Sequence, residues 1–119
     1  MRPHLTIQEI DRAEAERINA ARGPLLAALS GAARGRPWSY LLFGSLARGD
    51  ARRGSDADIA IVGAGAEWPE AEARAIPACE ALRLDCDVML FEDLRPAVRA
   101  QAVAHGVRCP LVAGAHDVG

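Results

Sequence analysis

Residues 38–62 read W-S-Y-L-L-F-G-S-L-A-R-G-D-A-R-R-G-S-D-A-D-I-A-I-V. Two apolar runs of strand length, Trp38 to Phe43 and Ala57 to Val62, bracket a segment rich in Gly, Arg and Asp. That alternation predicts two buried strands joined by a loop over 44–55, with room for one helical turn. The first strand ends directly on Gly44-Ser45, and the second begins at a pair of carboxylates, Asp56 and Asp58.

A third apolar run, Leu84 to Phe91, carries two more acidic residues, Asp85 and Asp87. A strand has period two, so Asp56 and Asp58 are expected on one face, and Asp85 and Asp87 repeat the arrangement. Carboxylates on an apolar framework are costly unless something pairs with them, and like charges from adjacent strands raise one another's pKa. A divalent cation removes that cost, and all-oxygen ligands suit Mg²⁺ or Mn²⁺ better than zinc.

The turn at Gly44-Ser45 supplies the complement. Glycine lets backbone N–H groups approach a ligand, a serine hydroxyl donates to a phosphate oxygen, and successive N–H groups form an anion nest. Arg48, Arg52 and Arg53 in the same segment suit a polyphosphate. Against this stand plainer readings: Ser45 bonding its own turn, Arg48 exposed or paired with an Asp, Arg52 and Arg53 as surface charge, and Asp85 as a rim charge.

The rest of the chain supplies helices. Thr6 and Glu9 form a capping-box pattern ahead of a helix over 7 to 22, with Ile7, Ile10, Ile18 and Ala21 on one stripe. Gly23-Pro24 is expected to interrupt it. Leu25, Leu26 and Leu29 mark a second stretch, ended by Gly31 and Gly35, so the N-terminal helical segment covers about 7–30. A helix over 67–82 has Pro69 near its start and Pro77 as a kink. Trp68 is expected to pack at its start. Asp93 is placed as cap of a last helix that uses Leu94, Val98 and Ala102 and ends at Gly106. Val107 to Val112 suggests a short extended piece, with fraying after about 113. The order helix, strand, loop, strand, helix, strand, helix predicts an α/β (α+β) fold. Its form is a small mixed β-sheet with helices packed on it.

The 119 residues fit one domain, 1–119, with its core over about 38–110. Net charge is −2, so bulk electrostatics mark neither a nucleic-acid nor a membrane binder. There is no Lys, which excludes the P-loop and Schiff-base chemistry. Three cysteines without C-x-x-C spacing fit reduced thiols, and no apolar leader opens the chain, so a cytoplasmic location is expected. Gly63-Ala64-Gly65 resembles the start of a dinucleotide fingerprint, but its third glycine position is Trp68, which rejects it.

Gly44-Ser45-Leu46-Ala47-Arg48-Gly49, then Ser55-Asp56-Ala57-Asp58-Ile59, resembles the signature of the DNA polymerase β-like nucleotidyltransferase superfamily, in its minimal branch. The resemblance covers about 38–110. It implies that Asp56 and Asp58 bind two Mg²⁺ ions, with Mn²⁺ as substitute, and that Gly44 and Ser45 hold the triphosphate of ATP. It implies a third carboxylate on a later strand. Asp87 is the better match, since Val88-Met89-Leu90 follows it, and Asp85 is the fallback. It also implies AMP transfer to a tyrosine of a HEPN-type toxin partner, this chain being the antitoxin. Two rivals are carried beside that expectation. One is a partner-binding module with catalysis secondary or lost; the other is transfer to a small molecule of the aminoglycoside type. Oligomeric state is left open, a homo-oligomer included.

Overall fold

The computed structural model describes residues 4–110. Helix α1 (Ile7–Ala20) starts at Thr6, whose hydroxyl accepts from the Glu9 N–H while the Glu9 side chain accepts from the Thr6 N–H. The capping box is therefore formed, satisfying N–H groups that have no partner inside the helix. The apolar stripe is not used as expected. Ile18 and Ala21 are buried, but Ile7 and Ile10 are exposed, Ile7 by 73%.

Helix α2 (Arg22–Ala33) begins one residue after α1 ends its last turn. Gly23 and Pro24 thus lie in its first turn instead of breaking a helix. Proline is tolerated there because the first N–H groups need no partner within the helix. Gly31 lies inside α2 and does not end it. Leu25 and Leu29, one turn apart, are fully buried.

Strands β1 (Ser39–Phe43), β2 (Ala57–Val62), β3 (Cys86–Leu90) and β4 (Val107–Cys109) form one mixed sheet in the order β3-β2-β1-β4. β1 is antiparallel to both β2 and β4, and β2 is parallel to β3. The parallel pair requires a crossover, supplied by α4 (Trp68–Glu80). Pro69 lies in its first turn and the helix continues through Pro77. On one face of the sheet Tyr40, Leu42, Ile59 and Ile61 join Leu25, Leu29, Ala71, Ala75 and Cys79 in the main core. Burying side chains of Leu or Ile size stabilises by about 1.5–3 kcal/mol each. The opposite face is smaller, with Leu41, Phe43 and Ala60 beneath Leu94 and Ala102.

Several sequence expectations are corrected at the element ends. Asp85 lies one residue before β3 and not within it, and its carbonyl accepts from the Ala57 N–H. Asp93 belongs to a 3₁₀ turn over Phe91–Asp93. Helix α5 (Pro96–His105) opens on Pro96 with Arg95 at its cap, so Asp93 does not cap it. Trp68 starts α4 but is 43% exposed. The extended piece runs only over Val107–Cys109; Leu111 and Val112, and everything after 113, lie outside the described residues. Among the described residues no helix is long and apolar enough to cross a membrane.

Candidate active site

The expected loop begins with a helical turn, α3 (Gly44–Arg48), which follows β1 without a break. Gly44 has φ +78°, a left-handed conformation that glycine adopts at no steric cost. A second constraint acts on it: a Cβ at position 44 would collide with the Asp58 carboxylate. Gly44 therefore serves both the turn and the close approach of Asp58. Gly49, also left-handed, ends α3 with its N–H on the Leu46 carbonyl.

Register sets the carboxylates. Asp58 lies opposite Phe43 across the β1–β2 pair and opposite Asp87 across the β2–β3 pair. Asp58 and Asp87 are thus neighbours at the starts of parallel strands, on the sheet face that carries Ala60 and Met89. Asp56 lies one residue before β2 and is exposed, whereas Asp58 is half-buried. Burial pushes the Asp58 carboxyl above its ordinary range. The charges of Asp87 and then Asp56 push it further, and Arg48 opposes them.

Two hollows open on the segments that carry these residues, and one of them is lined by Asp58. One, of about 370 Å³, is lined by Ser45, Arg48, Asp50, Arg52 and Ser55. The other, of about 340 Å³, lies against Asp58 and Asp87 and has Phe43, Met89, Leu94 and Val98 in its walls, with Asp93 and Arg95 also lining it. The first carries guanidinium and hydroxyl groups; the second is mostly apolar. Arg48 also meets Asp50 at 3.3 Å, in an exposed pair that holds it weakly. The three loop arginines separate: Arg53 turns away to pair with Asp11 of α1 at 2.9 Å. Arg52 stays with Ser55, whose hydroxyl accepts from the Arg52 N–H.

Two positioning residues escaped the sequence reading. Asn19 of α1 donates to the Ala51 carbonyl at 3.0 Å and accepts from the Ala51 N–H at 2.9 Å. Arg22 donates to the Ala47 carbonyl at 2.9 Å. Together they tie α3 and the segment entering β2 to the N-terminal helices. Their only sequence signal was polarity on the inner side of an imperfect stripe.

The donor set is open. Among the described residues, no three His, Cys, Asp or Glu side chains are drawn together closely enough to hold a metal alone. The chemistry nonetheless fits Mg²⁺, which keeps several waters and commonly takes one or two carboxylates plus substrate phosphates. The half-buried Asp58, facing two like charges, is the group whose cost such an ion relieves.

A mixed sheet that sets two carboxylates in register, beside a Gly-Ser turn opening a helix, defines a polymerase β-like nucleotidyltransferase fold. The sequence model of the family described as nucleotidyltransferase domain matches residues 34–109, and the chain belongs to that family. Among curated proteins and among solved structures, none matches it.

Proposed function

We propose that this domain transfers a nucleoside monophosphate, AMP from ATP, onto a hydroxyl acceptor and releases pyrophosphate. The observation that carries the reading is Asp58 packed against Gly44 and in register with Asp87, with a largely apolar hollow against both carboxylates and a second hollow lined by Ser45, Arg48 and Arg52 on the segment that Gly44 opens.

In this reading Gly44 and Ser45 bind the triphosphate through backbone N–H groups and the serine hydroxyl, and Arg48 neutralises its outer phosphates. Arg52 lines the same hollow. Asp56, Asp58 and Asp87 would hold two Mg²⁺ ions, which supply charge neutralisation of the triphosphate and a lowered pKa of the acceptor hydroxyl. Asp58 orients the α-phosphate toward the apolar hollow, and Asp87 borders the acceptor there. The acceptor oxygen bonds to the α-phosphorus as the bond to the pyrophosphate oxygen breaks. In this reading Asp87 takes the hydroxyl proton. Most of the catalysis is positioning and electrostatics, as phosphoryl transfer requires. A tyrosine of a HEPN-type partner is the acceptor that the family resemblance suggests.

The test is Mg²⁺-dependent transfer of label from α-³²P-ATP to lysate proteins. Label on a protein band with wild type, absent with Asp56→Ala/Asp58→Ala of confirmed fold, supports the reading. Equal labelling by the double variant overturns it.

A further inference from the structure

Strand β3 ends the sheet, and among the described residues no strand pairs with its outer edge. Such an edge presents free N–H and C=O groups, a template for another extended chain. A groove of about 330 Å³ lies along it. Ile61, Val88 and Leu90 form the apolar floor, and Trp68, 43% exposed, stands at the start of α4 as one wall. A large exposed aromatic beside an open edge is the kind of anchor that peptide-binding sheets use.

Charge selects the occupant. The groove lining contains two carboxylates, Glu72 and Asp93, and no basic residue. Asp85, exposed just before the strand, extends the acidic rim. A second copy paired edge to edge would set two acidic grooves against each other, which opposes association. Residues 111–119 of this chain carry no Arg or Lys and include Asp117, so they do not match either.

We infer that the β3 edge docks an extended segment of a partner protein, bearing a bulky apolar residue for the groove flanked by Arg or Lys. Backbone pairing along Cys86–Leu90 supplies affinity, and the alternate side chains supply selectivity. Met89 borders both this groove and the apolar hollow beside Asp58 and Asp87. A docked segment therefore lies next to the candidate active site. The inference uses only the backbone of Asp87 and no side chain assigned to nucleotidyl transfer, and Trp68 and Glu72 lie outside that set, so the two readings fail separately.

The experiment uses a short fluorescein-labelled peptide alternating Leu and Arg. Two controls accompany it: the same peptide with Glu in place of Arg, and one N-methylated at alternate peptide bonds. Anisotropy titration of the full chain is expected to show binding of the Arg peptide alone. Trp68→Ala and Glu72→Arg are each expected to weaken it about tenfold, as loss of an anchor does. Amide exchange of Val88 to Leu90 is expected to slow in the complex. Circular dichroism confirms that both variants fold, and label transfer stays at the wild-type level in them. Equal binding of the N-methylated or Glu peptide overturns the proposal, as does binding indifferent to both variants. A concentration-dependent dimer in sedimentation, disrupted by Trp68→Ala, assigns the edge to a second copy and also overturns it.

Discussion

Asp58, as the proposed metal ligand, illustrates how a residue kept for chemistry opposes folding. Its folded-state pKa is raised by burial and by Asp87 and Asp56, so the folded chain binds that proton more tightly than the unfolded one. Stability from this group is therefore present below the unfolded carboxyl pKa and is lost as pH rises through the folded pKa. In EDTA, Asp58→Asn is expected to raise the Tm at pH 7, and the gain should vanish as pH falls below the ordinary carboxylate range. Thermal melts over a pH series measure it, and a gain independent of pH contradicts the account. The same substitution is expected to abolish label transfer. Gly44 can be separated from its conformation alone, because Gly49 has nearly the same φ, +80° against +78°, with nothing within 4 Å of an added Cβ. Gly49→Ala should cost the left-handed backbone term, about 1–2 kcal/mol. Gly44→Ala should cost more, the difference being the Asp58 contact. Equal losses in urea unfolding would mean that Asp58 moves aside freely.

Among the elements, the N-terminal helices tie down the segment between β1 and β2 as well as cover the sheet. Asn19 returns both bonds of Ala51, a residue only 3% exposed. Removing that partner with Asn19→Ala leaves buried backbone groups unpaired, at a cost of about 1–3 kcal/mol. Hydrogen exchange at Ala51 to Ser55 should quicken while Leu41 and Ile59 stay protected. Unchanged exchange in that segment would deny Asn19 its role. This clamp was not legible in the sequence because it joins residues 32 apart, and helical periodicity registers only which face is apolar. The strands were legible, since Tyr40 to Phe43, Ala57 to Val62 and Val88 to Leu90 are apolar runs of strand length. The helix ends were less so. Gly23-Pro24 signals a break and a start equally well, and only the packing of Leu25 and Leu29 decides for a start. Asp93 looked like a cap, but Pro96 sets φ for a first turn and moved the start of α5 beyond it. Asp85 was expected within the third strand beside Asp87, but it lies one residue before that strand begins.

For the molecule as a whole, strand order could not be read from the sequence. Alternation says which residues share a face, not which strands are neighbours. That Asp58 meets Asp87 follows from the parallel β2–β3 register, which the α4 crossover enforces. The cysteines report whether that assembly holds. Burial pushes the Cys79 thiol up to about 12 and the Cys109 thiol up to about 11. Cys79 lies on the buried face of α4, and Cys109 lies on the edge strand β4 with its side chain in the same core. Cys86, on β3, is only partly buried, and its pKa is raised mainly by that burial. The thiolate is the nucleophile, so reactivity with iodoacetamide follows both exposure and pKa. In the native chain at pH 8, mass spectrometry is expected to find Cys86 alkylated first. Cys79 and Cys109 should follow only at the rate at which the core opens, and all three should react alike in urea. Asn19→Ala, which loosens one segment without opening the core, should leave the Cys79 rate tied to global stability. Rapid labelling of Cys79 under conditions where Cys109 stays protected would show that α4 separates from the sheet on its own. The β2–β3 register, and with it the pairing of Asp58 and Asp87, would then depend on a helix that detaches independently of the rest.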